Sequence, residues 1–204
     1  MSIEAVKSMI VDSLQAKQQV LQDEKLLATT VLVARLVESA LRAGNKVMLA
    51  GNGGSAADSQ HIAAEFVARF EFDRPGLAAI SLTTDTSLMT AIGNDYGYDY
   101  LFARQIEALG REGDVFIGIS TSGNSRNVVA AVAAARKRGI HTVALCGAGG
   151  TLKTLCDHAL CIPSTHTPRI QENHILIGHA ICALVEEWIW GAEYKPAAKT
   201  AAQG

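Results

Sequence analysis

Cysteine, proline and aromatic residues are scarce: the 204-residue chain has 4 Cys and 4 Pro, and aromatics make up 5% of it. The cysteines (Cys146, Cys156, Cys161, Cys182) form no CxxC pair and sit in apolar contexts such as ALC and AIC, which argues against a disulfide framework or a thiolate zinc site and for reduced, buried thiols. Charge of one sign is also missing, with 18 basic against 20 acidic residues, a formal charge of −2 and no long like-charged run. That excludes the electrostatic footprint of a nucleic-acid binder. Glu4, Lys7 and Asp12 interrupt the first fifteen residues, so no signal peptide is read there, and no uninterrupted apolar stretch approaches the length of a membrane span. The expectation is a soluble, cytoplasmic protein with no membrane or nucleic-acid partner.

What is abundant is aliphatic: hydrophobic residues reach 49% and charged ones only 19%. With few aromatics the core must be built from Ala, Val, Leu and Ile, a mixture suited to close-packed helices on a sheet. Residues 3–22 and 24–43 carry apolar side chains at mostly helical spacing, and Gly44 stops the second segment. A strand, loop, helix unit follows and recurs. Strands are expected at Lys46–Ala50, Ala78–Leu82, Asp114–Ile119, Thr142–Cys146 and Ala159–Ile162. Helices are expected at Ala56–Arg69, Ser87–Ile92, Leu101–Leu109, Asn127–Arg138, near Leu152–Cys156 and from about Arg169 to Trp190. Five strands alternating with helices imply an α/β fold with a doubly wound, five-stranded parallel sheet and extra N-terminal helices. Residues 1–45 are read as a helical segment packing on the core and on partners, 46–191 as the α/β domain and 192–204 as a flexible tail.

Two loops follow strands whose carboxyl ends point the same way: GNGGS (Gly51 to Ser55) and STSGNS (Ser120 to Ser125). In open α/β sheets such loops line the ligand crevice, and a helix N-terminus behind a glycine- and hydroxyl-rich turn favours an anion. The competing reading is a Ser-rich turn that only caps the next helix. Gly51, Gly53 and Ala56 formally match the G-x-G-x-x-G/A dinucleotide fingerprint, yet the first acidic residue after the next strand, Asp85, comes about ten residues late. Neither loop has the Gly-Lys-Ser/Thr ending of a triphosphate-binding loop. A single phosphomonoester remains.

The helix after GNGGS places His61 and Glu65 four residues apart, on one face beside that loop. Such a pair could ligate a metal, transfer protons or make a surface contact. The last helix embeds Arg169, Gln171, Glu172, His174 and His179 in an apolar run, where a histidine is commonly a packing residue; two histidines and a carboxylate would suit zinc.

AGNGGS, HIAAEF, GNDYG, GREGDVFIGISTSGNS and RIQENHILIGH, in this order over about residues 40–190, resemble the sugar isomerase (SIS) domain family, and within it the phosphoheptose isomerases. The family often has Cys before GNGGS, where this chain has Ala50. The resemblance implies a SIS, flavodoxin-like sandwich and conversion of sedoheptulose 7-phosphate to D-glycero-D-manno-heptose 7-phosphate, the first step of ADP-heptose biosynthesis for lipopolysaccharide or another surface polysaccharide. By position it implies that Asn52, Gly53, Gly54, Ser55, Ser120, Thr121, Ser122 and Ser125 hold the sugar phosphate and that Asn94 and Asp95 contact its hydroxyls, with Glu65 and Gln171 also meeting substrate. His61, Glu65, Gln171 and His179 would surround one zinc ion per subunit, Glu65 and His179 doubling as acid/base groups. It also implies a homotetramer with sites between subunits. One geometric condition accompanies the zinc set: eight helical residues separate Gln171 from His179, about 12 Å, so both reach one ion only if Gln171 lies in a frayed first turn. His174 is the fallback ligand. The rival from another class is a non-catalytic SIS adaptor that binds a phosphosugar and a replication initiator, a type lacking acid/base groups at the positions of Glu65 and His179.

Overall fold

The computed structural model describes residues 2–196. Two helices open the chain, and one aspartate makes the corner between them. Helix α1 (Ile3–Gln22) ends at Asp23, whose carboxylate then accepts the Leu26 N–H at 2.9 Å and caps α2 (Glu24–Arg42). Gly44, at φ +81°, turns the chain out of α2 in a conformation that glycine adopts without strain. Then come β1 (Val47–Gly51), α3 (Gly54–Val67), β2 (Ala79–Ser81), α4 (Thr86–Asp95), a 3-10 turn at Tyr98–Tyr100 and α5 (Leu101–Leu109). β3 (Val115–Ser120), α6 (Arg126–Lys137), β4 (His141–Cys146), α7 (Leu152–Leu155), β5 (His158–Cys161) and α8 (Thr167–Tyr194) complete it. The elements agree with the sequence reading to within a few residues, except that α8 continues to Tyr194, into the segment read as a tail. Residues 197–204 of that segment lie outside the described residues.

All five strands are parallel, in the order β2-β1-β3-β4-β5. The chain leaves β1 toward one edge and returns at β3 to build toward the other, so the order reverses between β1 and β3. A crevice opens at such a switch point, beyond the carboxyl ends of the strands. β1 and β3 are buried along their whole length, Ala50 included, and their starts are tied by Asp114, which accepts from the Lys46 and Arg111 N–H groups and pairs with Lys46 Nζ at 2.6 Å.

One apolar layer joins Val33, Val37, Ile62, Phe66, Ile177 and Ile181, from α2, α3 and α8, to one sheet face; on the other face Phe102, Ile106, Val128, Val132 and Leu152 cover Met48 and Phe116. α3 and α8 run side by side in the same direction: Gly178 packs on Ile62, where a Cβ would fall 2.5 Å from its Cδ1, and His179 meets His61. α8 alone among the described helices is long and apolar enough to cross a membrane, with a mean hydropathy of 1.4 over its best window. Here one face of it packs on the sheet layer, burying Asn173, His174 and Glu186 along with Ile170, Ile177, Ile181 and Val185, while Leu176 is exposed.

Candidate active site

The two loops flank the switch point, and side chains link them. The Asn52 amide donates to Asn127 Oδ1 at 2.9 Å, Asn127 donates back to Asn52 Oδ1 at 2.8 Å, and the Tyr98 hydroxyl donates to the same Oδ1 at 3.0 Å. Gly53 takes φ +56° at the N-cap of α3, and Gly54 opens the helix beneath Gln171, whose amide touches the place a Cβ would occupy. Ser55 is buried. In the second loop Ser120 Oγ lies 2.8 Å from Ser125 Oγ and 3.4 Å from Ser122 Oγ, three hydroxyls converging before α6. Ser125, the N-cap residue of α6, gives no side-chain cap to it, so the Ser-rich turn is not an ordinary helix cap. Thr121 and Ser122 line a hollow of about 240 Å³ together with Ser164, Thr165, Thr167 and Ile170. Arg126, the only cation next to the loop in sequence, pairs with Asp99 at 2.5 Å. Hydroxyls, glycines and two helix N-termini whose N-cap residues make no side-chain cap meet here, an arrangement that suits an anion.

His61, Glu65 and His179 come together beyond the first turns of α3, their ligand atoms all within 4.8 Å of one another. His61 Nε2 is 2.9 Å from Glu65 Oε1 and 3.3 Å from His179 Nε2. The His179 ring also packs on Phe70, centroids 5.3 Å apart. Two imidazoles and a carboxylate are zinc donors, and the 2.9 and 3.3 Å separations from His61 Nε2 lie near the roughly 3.3 Å edge of a zinc tetrahedron with bonds of about 2.0–2.1 Å, so the donor set fits zinc.

Gln171 does not join them within one chain. It lies in the second turn of a continuous helix rather than in a frayed end, and its side chain sits over Gly54, about 12 Å along the axis from His179. The condition for a four-residue ligand set inside one subunit is therefore not met, and Gln171 lies beside the first glycine loop. His174 is not a substitute. It is fully buried, and desolvation pushes its pKa down to about 4, so it packs as a neutral ring. Asn94 and Asp95 are exposed at the end of α4, where the Asn94 amide donates to Asp95 at 2.8 Å; Asp95 lines a separate pocket between α4 and α5.

Several residues of this region carry no motif. Asn127 and Tyr98 hold the loops together but look like any helix-start amide and loop tyrosine. Asp58, one turn before His61, has a buried Oδ2 without a hydrogen-bond partner, and burial pushes its pKa up to about 6. Helical spacing from His61 would have found it. Arg74 and Glu186 form a buried pair, Nε to Oε1 2.9 Å, that links the chain just after α3 to α8. Being 112 residues apart, they leave no local signal.

The sequence profile of the SIS domain family matches residues 12–147, two thirds of the chain. The chain belongs to the SIS domain family. Among curated relatives it is 58% identical to phosphoheptose isomerase 2 of Campylobacter jejuni over 91% of this chain and 93% of that protein. It is also 58% identical to the phosphoheptose isomerase of Aneurinibacillus thermoaerophilus over 91% and 94%. The solved phosphoheptose isomerase of Neisseria gonorrhoeae superposes with a TM-score of 0.83 at 47% identity, covering 90% of this chain and 98% of that one. Within the family, then, this SIS protein groups with the phosphoheptose isomerases and is an aldose–ketose isomerase.

Proposed function

We propose that the enzyme interconverts sedoheptulose 7-phosphate and D-glycero-D-manno-heptose 7-phosphate, with its phosphate at the two crevice loops and its carbonyl end at His61, Glu65 and His179. The observation that carries this reading is the placement of that cluster about half the length of α3 from the glycine loop at its N-terminus. Seven residues of α3 separate Gly54 from His61, about 10 Å of axial rise, close to the reach of a seven-carbon chain with a terminal phosphate. Gln171, over Gly54, is placed to hydrogen-bond the phosphate end.

Ketose-to-aldose conversion moves a proton from C1 to C2 through an enediol while the carbonyl oxygen gains and loses charge, which requires a base, an acid and an oxyanion stabiliser. Glu65, half-buried beside His61, removes and returns the carbon-bound proton. His179, held against Phe70, moves the proton between the oxygens. His61, Glu65 and His179 are the residues that would hold a zinc ion, which supplies Lewis-acid polarisation of the carbonyl when bound. A carboxylate that ligates a metal is a weaker base, so Glu65 serves both roles only in turn.

The exposed faces also bear on assembly. Ile3, Val6, Met9, Ile10 and Leu14 leave α1 with an unpartnered apolar stripe, which supports association with further copies and a homotetramer. Nothing in the charge pattern calls for nucleic acid, and a cytoplasmic location suits a sugar-phosphate enzyme.

Purified protein should turn over sedoheptulose 7-phosphate, lose activity on dialysis against a chelator and regain it with zinc. Tight sugar-phosphate binding without turnover at any metal loading would instead support the adaptor, which the intact acid/base pair disfavours. The phosphate site has its own test. Ser122→Ala should weaken sugar-phosphate binding about tenfold, the worth of one neutral donor to a charged group, and sedoheptulose without its phosphate should hardly bind. Equal calorimetric affinity for the two sugars would remove the anion site from the argument.

A further inference from the structure

Sequence context reads the four cysteines as reduced, buried thiols, and three of them are buried; Cys161 is not. Cys146 at the end of β4 and Cys161 at the end of β5 are directly paired in the parallel ladder, and their Sγ atoms lie 3.5 Å apart. Paired residues of adjacent strands sit about 4.8 Å apart, inside the range of roughly 4.4–6.8 Å that disulfides span between Cα atoms. Cys161 opens on a polar pocket of about 370 Å³ at the sheet edge, lined by Asp23, Lys25, Thr29, Lys153, Asp157 and His158. The hydrogen bond from Cys146 and the cations Lys153 and Lys25 lower its pKa to about 7, against partial burial and the charge of Asp23. The hydrogen bond with Cys161, and then burial, raise the Cys146 thiol. The pair thus has the parts of a redox site: a partly exposed thiol at a polar hollow with Lys153 and Lys25 nearby, and a second, buried thiol within reach.

We propose that Cys161 and Cys146 form a thiol–disulfide switch, oxidised by a small hydroperoxide and read out at the phosphate loop. The Cys161 thiolate attacks the peroxide O–O bond, taking one oxygen as a sulfenic acid while the other leaves as an alcohol or water after protonation. Cys146 sulfur then attacks the Cys161 sulfur, a disulfide forms, and the hydroxyl departs with the Cys146 proton as a second water. Two thiols lose two electrons and one peroxide gains them. The readout follows from position. Cys146 is the ladder partner of Ser120, and the next residue, Gly147, donates its N–H to the Thr121 carbonyl at 3.1 Å. A Cβ on Gly147 would strike that same carbonyl, so the contact has no slack. Drawing the two sulfurs together to about 2.05 Å shifts the end of β4 against the STSGNS loop.

The full-length protein should be treated with hydrogen peroxide, quenched with maleimide and mapped by mass spectrometry, with KM for the sugar phosphate measured before and after. The expected result is loss of two of the four thiols, a mass lower by two hydrogens, a peptide linking Cys146 to Cys161, and a several-fold rise in KM, all reversed by dithiothreitol. In Cys146→Ser the same dose should leave a Cys161 sulfenic acid trapped by dimedone, and Cys161→Ser should stay unmodified with its KM unchanged. Four alkylatable thiols after peroxide, or a link through Cys156, would overturn the pairing. A Cys146–Cys161 disulfide with unaltered KM would overturn the coupling to the loop.

Discussion

Replacing Glu65 with glutamine should lower turnover at least about 100-fold, the usual contribution of a positioned acid/base group, while phosphate binding and melting temperature stay near those of the unmodified enzyme. The side chain is exposed enough that an amide of the same shape fits, and no core contact depends on its charge; its one hydrogen bond is to His61 at 2.9 Å. A glutamine oxygen still faces the imidazole, so the local geometry survives while the proton acceptor is lost. The loss should therefore fall on kcat and leave KM almost unchanged, the pattern of an interaction made in the transition state. Zinc titration of the same variant separates the two roles of the carboxylate: weaker metal affinity accompanies the ligand role, and lost turnover at saturating zinc isolates the proton-transfer role. Turnover within a few-fold of the unmodified enzyme at saturating zinc would remove Glu65 from the chemistry.

Much of this site was legible in the sequence because its parts are local. GNGGS and STSGNS announce a glycine turn, a hydroxyl cluster and a following helix within six residues each, and strand alternation places both at one sheet end. The His61–Glu65 pair is a helical-spacing statement and needed no tertiary information. What the sequence could not state was which helix lies beside α3 and in what direction. The parallel run of α8 along α3 brings His179 to His61 and, by the same register, carries Gln171 to Gly54 instead of to the cluster. The separation of about 12 Å between Gln171 and His179 follows from helical rise alone; which of the two meets His61 does not. The tie between Asn52 and Asn127 was equally invisible, since it depends on β1 and β3 being neighbours. The pairing of Cys146 with Cys161 depends in the same way on β4 lying beside β5.

Glu186→Ala should cost about 3–5 kcal/mol of stability, as expected when one partner of a buried ion pair is removed, and lower the melting temperature by roughly 6–20 °C for a chain of this size. The side chains of Arg74 and Glu186 are each only 1% exposed. Glu186 accepts the Phe70 and Glu71 N–H groups at 2.8 and 2.7 Å, and Arg74 donates to the carbonyls of Glu65 at 2.9 Å and Phe66 at 2.7 Å. Truncating Glu186 strands a buried guanidinium and two amides together. For an isolated buried pair, replacing both members with aliphatic residues is often neutral. Here Arg74→Leu combined with Glu186→Leu should remain destabilised, because the backbone groups satisfied by the pair would lose their partners. The same pair clamps the stretch that carries Glu65 and Phe70, and Phe70 packs on His179. Turnover should thus fall in the Glu186→Ala protein that remains folded at low temperature, with sugar-phosphate affinity less affected, because the loops are held by Asn52 and Asn127 on the far side of α3's first turn. Denaturant titration measures the stability change directly, and a loss below about 1 kcal/mol, the range of exposed pairs, would show that Arg74 and Glu186 do not act as this clamp.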